Sequence, residues 1–393
     1  MNKITYCIPS KNNLRYLKSS IYSIKNNSSV EYDIVVYIDA DNDGTEEWLI
    51  ENNITYLKNT DAKPKGIAYA YNRCIEAATS EVVCMFHADM FMAKGFDTAI
   101  LNHLKSQTVV SGTRIEPPLH PAGMEKIVKD FGMYPEDFNE SEFGEFAQKT
   151  SFYNKGLTTK GIFAPWAIYK QDITSIGMHD ESFHSYHEDS DIFNRFVISG
   201  YKLIQTWQAF VYHFTCRGGQ FQDGIDKVTQ DQDFHLMKSN AAKNYIRKWG
   251  SWIKNDEYHY PTVFPKYNIA YVVKNTNLQI IEFLEPWCDR LYTDCNQKVI
   301  DDYINKEQPN TKYDLTKRVL TTAHNDAHGE NDIVVELDTN ELDQESVVLI
   351  QQLPEILIPV EEQGTYQLGR LKVTIHNLMP SEIPLQLAFS VQH

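Results

Sequence analysis

The first half of this sequence predicts an α/β fold, a mostly parallel sheet flanked by helices. The last third predicts a smaller, strand-rich α+β domain. Three observations carry this. Strand and helix signals alternate through the first 110 residues, the order that builds a parallel sheet covered on both faces. The chain has 393 residues, too many for one ordinary core. The pattern also resets near residue 266, so the expected division is 1–262 and 263–393.

Taken in order, "KITYCIPS" is a short apolar run, and "LRYLKSSIYSIKNN" places apolar residues at helical spacing. "YDIVVYIDA" is a β-branched run, "GTEEWLIENN" is helical and "ITYLKN" is a short strand. "GIAYAYNRCIEAAT" predicts a helix with small residues on one face, and "EVVCMFHAD" predicts a fourth strand. Ser10, Asp39 and Asp89 fall at predicted strand ends, beyond which sheets of this kind bind ligands. Residues 115–160 are polar and irregular, the signature of a long functional loop. The following segment predicts a strand, a short helix, an acidic helix start, a helix to Gly200 and a strand to about His213. Residues 234–254 predict one basic helix. Beyond 266 come the strand "NIAYVVKN", helical stretches and a β-rich tail of "DIVVEL", "VVLIQQL", "RLKVTIHNL" and "LQLAFSV".

Hydrophobic residues make up 42% of the chain, and no apolar run approaches the length of a membrane span. No secretory signal is visible at "MNKITYCIPS". Six cysteines lie scattered without a CxxC pair, which favours a reduced, cytoplasmic setting. Of the net charge of −16, residues 261–393 contribute −10, with 10 Lys+Arg against 20 Asp+Glu. That acidity argues against a nucleic-acid surface in the last third.

Three constellations carry chemistry. In "VVCMFHADMFM", His87 and Asp89 are two residues apart on an extended chain and point to one side. Imidazole with carboxylate suits an ion such as Mn²⁺ better than the all-oxygen shells of Mg²⁺ or Ca²⁺. The other reading is a buried histidine satisfied by a carbonyl beside a helix-capping aspartate, and spacing alone leaves both open. In "HEDSDIF", four ionisable groups crowd a predicted helix start. The helix dipole favours acids there, and a carboxylate so placed also makes a general base. In "VYHFTCRGG", His213 ends an apolar strand, and its meaning depends on the other two. The stretch from His235 to Asn255 interleaves Lys238, Lys243, Arg247, Lys248 and Lys254 with Tyr245, Trp249 and Trp252. It reads as an amphipathic helix packing its tryptophans on a sheet, or as a stacking surface for sugars or bases.

Together these pieces resemble the family 2 glycosyltransferases of the GT-A fold, over roughly residues 3–220. "ITYCIPSKN" is similar to the family's first strand and nucleotide-contacting turn, which implies Pro9, Ser10 and Lys11 at the donor. Asp39 in "IVVYIDADNDGT" falls where the family reads the base. In "KGIAYAYNRCIEAATSEVVCMFHAD", Lys65, Gly66 and Asn72 are in register, and His87, Ala88 and Asp89 stand at the DxD motif with histidine replacing the first aspartate. "IGMHDESFHSYHEDSDIFNR" resembles the acceptor loop, with His179 and Asp180, and the ED motif. There Asp189 would be the catalytic base beside Glu188, with Arg195 one turn on. His213 matches a further metal ligand, and Trp166 and Trp249 are the acceptor-stacking candidates.

The resemblance implies an inverting transfer from a nucleotide-diphosphate sugar, UDP favoured, with a divalent metal, Mn²⁺ favoured over Mg²⁺. The acceptor would be a glycan or, in a phage-type enzyme, a hydroxymethylated DNA base. The implied setting is cytoplasmic, or the host cytoplasm if the protein is phage-encoded. Residues 263–393 lie outside the resemblance and leave three roles open: self-association, which is favoured, positioning of the acceptor, and capping of the catalytic domain. A catalytically inactive sugar-nucleotide binding module of the same fold is the reading from another class.

Overall fold

In the computed structural model, residues 3–39, 42–217, 219–221, 231–324 and 326–381 are described. They form two units. Of the described residues, the first holds those up to 235 together with 254–262; the second holds 236–253 and 263–381.

The first unit is built on one mixed sheet. Its elements begin with β1 (Ile4–Ser10), α1 (Leu14–Asn27), β2 (Tyr32–Ile38), α2 (Thr45–Glu51), β3 (Thr55–Lys58), α3 (Ile67–Ala77) and β4 (Val82–Met85). β5 (Met90–Met92), α4 (Phe96–His103), β6 (Thr108–Glu116) and β7 (Lys126–Val128) follow. Then come α5 (Glu140–Tyr153), β8 (Thr158–Thr159), β9 (Trp166–Tyr169), α6 (Lys170–Ser175), α7 (Glu188–Ile198) and β10 (Lys202–His213). The strand order is β3-β2-β1-β4-β9-β6-β10-β5, with β7 on β6 and β8 on β10. β1, β2, β3 and β4 are parallel, as are β6 and β10, while β9 and β5 run antiparallel. β1 and β4 are fully or almost fully buried because helices cover both faces, which explains their unbroken apolar runs.

The expected long loop over 115–160 is corrected. β6 runs to Glu116, β7 adds three residues, and α5 occupies Glu140–Tyr153. Asn139 caps α5 by accepting from the Glu142 N–H, and Phe143 and Ala147 bury one narrow face. Two apolar residues a turn apart leave too faint a periodicity to stand out against polar text.

The second unit carries the order β13-β12-β11-β14-β16-β15. β11 (Ile269–Lys274), β12 (Arg290–Thr293), β13 (Val319–Thr321) and β14 (Ile333–Asp338) are parallel. β15 (Gly364–Leu368) and β16 (Leu371–Ile375) form an antiparallel hairpin along β14. "VVLIQQL", expected as a strand, lies instead in the helix Gln344–Leu357. Asp343 and Ser346 close a capping box at its start, and Ile350, Leu353 and Leu357 recur at helical spacing toward the core. "LQLAFSV" lies outside the described residues.

The basic helix spans Gln232–Trp249, and from Leu236 on it belongs to the second unit, so 236–253 is a segment of that unit lying ahead of the expected division between 262 and 263. Ile246 joins that unit's core, while Arg247 bonds Glu285 and Glu307, and Lys243 pairs with Glu307. Lys243 and Arg247 thus neutralise buried acids of the second unit. Among the described residues no helix is long and apolar enough to cross a membrane.

Candidate active site and metal centre

The carboxyl ends of β4 and β10 meet. β10 pairs antiparallel with β5, with His213 opposite Met90, so His213 is brought beside the turn that carries His87, Ala88 and Asp89. His87, Asp89 and His213 each offer a ligand atom within 4.8 Å of the others, and this is the one such group of three among the described residues. The two imidazoles lie 5.6 Å apart between centroids. His213 Nε2 is 3.4 Å from Asp89 Oδ1, and this buried nitrogen makes no hydrogen bond. An orphaned buried imidazole nitrogen facing a carboxylate and a second imidazole fits a divalent cation.

The electrostatics follow from enclosure and neighbours. Burial lowers the pKa of His87 to about 4, helped by the charge of His213, so His87 is neutral and its lone pair is available. Burial opposes ionisation of Asp89, yet His213, His87 and the Arg217 N–H hold it at about 2. Burial likewise opposes a charge on His213, but Asp89 and Glu116 overcome it and raise His213 to about 9. The turn after β10 wraps this site. Phe214 N–H donates to the Asp89 carbonyl at 3.0 Å, and Arg217 N–H donates to Asp89 Oδ2 at 2.7 Å. Thr215 and Cys216 both take left-handed φ values there, +74 and +52. Such backbone persists where the surroundings over-determine it.

A second carboxylate pair stands at the start of α7. Tyr186 and His187 enter the helix with φ of +68 and +70, turning Glu188 and Asp189 into its first turn. Asp189 Oδ1 accepts from Ser190 N–H at 2.6 Å, while Oδ2 takes no hydrogen bond from the described residues. Glu188 Oε2 is enclosed without a partner. Desolvation raises Glu188 well above the ordinary carboxyl range, with the Asp189 charge adding to it, and desolvation raises Asp189 as well. The Arg114 guanidinium acts electrostatically on both His87 and Asp189.

An open cleft of about 810 Å³ is lined by Asn12, Arg15, Tyr16, Asp43, Tyr134 and Arg217 among others, and Arg217, through its N–H to Asp89, links it to the first cluster. The volume is that of a small-molecule site. Arg15 and Arg217 both lie over the Tyr134 ring, at 4.6 and 5.3 Å from its centroid.

Residues 5–174 match the family described as Glycosyl transferase family 2. The match takes in β1 through most of α6, including His87 and Asp89, and ends before Glu188 and His213. The glycosyltransferase domain is also similar to solved structures. They include GalNAc-T7 with UDP, GalNAc and Mn²⁺ (14% identity, 66% of this chain, 49% of that one, TM-score 0.47). The mannosyltransferase PcManGT from Pyrobaculum calidifontis with GDP-Man and Mn²⁺ shares 15% identity over 62% of this chain and 61% of its own, TM-score 0.39. S. aureus TarS 1-349 shares 12% over 64% and 74%, TM-score 0.39. The alignment thus spans about half the length of the GalNAc-T7 chain. No curated protein matches the sequence.

Several expected ligand contacts are scaffold instead. Asp39 is buried, and its carboxylate accepts from the N–H groups of Lys65 and Gly66, each at 2.8 Å, and from Asn59 at 2.9 Å. Asn72 spends its amide on His179 and Glu181. Arg195 is fully buried between Asp191 and the carbonyls of Ile176 and Met178, so it shapes α7 and its loop without reaching a ligand. Trp166 is buried against Phe193, Phe196 and His179, and His179 stacks on Tyr71; burial lowers that histidine to about 3. Asp180 is buried and caps Ser182, and Trp249 is buried in the second unit. Each of these four acceptor candidates thus sits in a structural surrounding of its own, in a strand, a loop or a helix. Pro9 and Ser10 end β1 with Ser10 Oγ unpartnered, Lys11 is exposed beyond them, and Lys65 pairs with Asp61.

The sequence reading missed Arg114, Glu116, Tyr134 and Arg217. Glu116 had a signal: it is the acid at the carboxyl end of a β-branched run, followed by two prolines.

Proposed function

We propose that the first unit is an inverting glycosyltransferase that moves a sugar from a nucleotide-diphosphate donor to an acceptor hydroxyl. The observation that carries this is the His87–Asp89–His213 group at the carboxyl edge of a family 2 sheet, sharing the field of Arg114 with Asp189. His87, Asp89 and His213 would hold a divalent ion, Mn²⁺ before Mg²⁺ because two of three donors are imidazole nitrogens. When bound, such an ion neutralises charge on the departing diphosphate.

The chain's own residues supply the rest. Asp189 Oδ2 accepts the proton of the acceptor hydroxyl, whose oxygen forms a bond to the anomeric carbon. The bond from that carbon to the diphosphate oxygen breaks with its electron pair, and the configuration inverts in one displacement. Glu188, held protonated by its surroundings, leaves Asp189 as the ionised partner of the pair. Ser10, at the end of β1, and the cleft lined by Tyr16 and Tyr134 flank the donor.

A saccharide acceptor is favoured over DNA. The cations that kept a DNA reading open, Lys243 and Arg247, are paired with Glu307 and Glu285. Self-association through the second unit stays part of this proposal, and a sedimentation mass equal to the 45.5 kDa monomer removes it. The test of the main reading is a thermal-shift screen of sugar nucleotides, UDP-sugars first, with Mn²⁺, followed by donor hydrolysis and transfer assays on the hits. A donor that raises the melting temperature only with metal, and is consumed, supports it; no shift with any sugar nucleotide overturns it.

A further inference from the structure

His213 is held from behind by a carboxylate outside every motif in the sequence. Its Nδ1 lies 2.8 Å from Oε1 of Glu116, at the carboxyl end of the neighbouring parallel strand β6. Glu116 is itself 2% exposed and fixed on three sides. Arg114 Nη1 donates to the same Oε1 at 2.8 Å, Lys126 Nζ donates to Oε2 at 2.8 Å, and His213 takes the remaining direction. Burial works against its charge, but His213, Arg114 and Lys126 keep it far below the ordinary carboxyl range. A second carboxylate, Glu125, stands on the other side of Arg114 at 3.4 Å and faces His259 Nε2 at 3.4 Å. The arrangement commits Nδ1 to Glu116 and leaves Nε2, the buried nitrogen without a hydrogen bond, turned toward Asp89 and His87.

We infer that Glu116 is the positioning residue of the metal centre, the outer carboxylate of a Glu116–His213–cation relay that fixes which nitrogen of His213 meets the ion. This rests on the metal-centre reading above. A metal-bound imidazole whose other nitrogen donates to a carboxylate is locked in ring orientation and made a better donor, and losing that partner typically costs about 10–100-fold in metal affinity. Arg114 and Lys126 belong to the device: their bonds to Oε1 and Oε2 keep the Glu116 carboxylate turned toward His213 Nδ1. Glutamine is a poor substitute despite its shape. Its amide NH₂ would have to face either the Lys126 ammonium or the pair formed by Arg114 and His213, donor against donor.

The test is a Mn²⁺ titration of the full chain by electron paramagnetic resonance, with pulsed detection of coordinated imidazole nitrogen, and no donor present. Wild type, Glu116→Gln, Glu116→Leu and His213→Ala are compared, each checked for an unchanged melting temperature; the glutamine variant serves if the leucine variant fails to fold. Two nitrogen couplings in wild type, one in His213→Ala, and a 10–100-fold weaker site with an altered or missing second coupling in the Glu116 variants are expected. If His213→Ala loses its coupling while the Glu116 variants match wild type, the positioning role is overturned and the metal centre stands. If His213→Ala itself matches wild type, the metal centre falls, and the inference with it.

Discussion

Asn72 and His179 are joined by a reciprocal pair of hydrogen bonds. Asn72 Nδ2 donates to the His179 carbonyl and Oδ1 accepts from the His179 N–H, each at 2.9 Å. The two lie 107 residues apart, on α3 and on the loop that leads to α7. This bridge fixes the height of the loop from which Glu188 and Asp189 are launched. Asn72→Leu is expected to leave both His179 backbone groups unsatisfied in a buried place, costing about 2–4 kcal/mol. A melting curve checks the loss. A transfer assay on the folded variant should show reduced turnover with donor binding largely kept.

Gly66 holds the neighbouring approach. A Cβ there would lie 2.1 Å from the His184 carbonyl oxygen, and its φ is +92. Gly95 has a similar φ of +85 but open space around it. Gly95→Ala should therefore cost only the left-handed backbone term, about 1–2 kcal/mol. Gly66→Ala must also move the 179–187 loop, and is expected to be distinctly less stable and to lose transfer. Equal melting temperatures for the two variants would show that α3 and the loop do not meet this closely.

How far the sequence spoke for the site depended on whether a role was local or distributed. His87 and Asp89 could be paired in advance because a two-residue period places side chains without knowledge of the fold, while His213 joined them only through the family resemblance. Burial could not be read the same way. Trp166, His179, Asp180 and Arg195 have the residue types of a binding site, and they are buried because β9, α6 and α7 converge on them. Glu116 was passed over because its partner lies 97 residues away on a strand whose neighbour is fixed only by sheet order. In the second unit the parallel strands were partly visible. The helix Gln344–Leu357 was hidden by a β-branched run whose true period shows only when Ile350, Leu353 and Leu357 are seen to share a face.

The Glu188–Asp189 pair makes a prediction with a sign. Both carboxyls are raised, Glu188 the further, so in the proposed mechanism Glu188 holds the proton and Asp189 is the group that titrates into activity. A general base works only when ionised. Transfer should therefore fall as pH drops through a limb displaced above the ordinary aspartate value of about 4. Asp189→Asn is expected to lower turnover by about 10²–10⁴-fold at pH above that limb and to lose the limb itself. Glu188→Gln imitates the protonated acid and should keep most of the activity and the same acid limb. A Glu188→Gln variant as inactive as Asp189→Asn would reverse the assignment.

His87 stands where two carboxylates would otherwise share the ion. His87→Asp is expected to keep metal-dependent transfer and to shift its preference from Mn²⁺ toward Mg²⁺, because an oxygen replaces a nitrogen donor. His87→Ala should raise the metal concentration needed for half-maximal activity. Activity titrated with each metal in the three proteins checks both. An unchanged metal profile in His87→Ala would leave Asp89 and His213 as the working ligands.

In the second unit, Glu285 is fully buried between two guanidinium groups. Arg247 reaches it at 2.6 Å, Arg318 at 2.5 Å, and the Tyr303 hydroxyl donates to it at 2.8 Å. Burial alone would raise this carboxyl, but Arg318 and Arg247 outweigh it and hold the pKa at about 2. A depressed folded-state value means the carboxylate stabilises the fold at pH above its unfolded pKa of about 4.3, and that contribution is lost as pH falls toward 2. Hydrogen exchange in β11 to β14 should therefore accelerate across that acid window. Glu285→Gln strands two buried cations, so it is expected to cost about 3–5 kcal/mol at neutral pH and to remove most of the acid dependence. Exchange that is equally acid-sensitive in both proteins would mean that another carboxylate, such as Glu307 against Arg247, governs the unit's acid response.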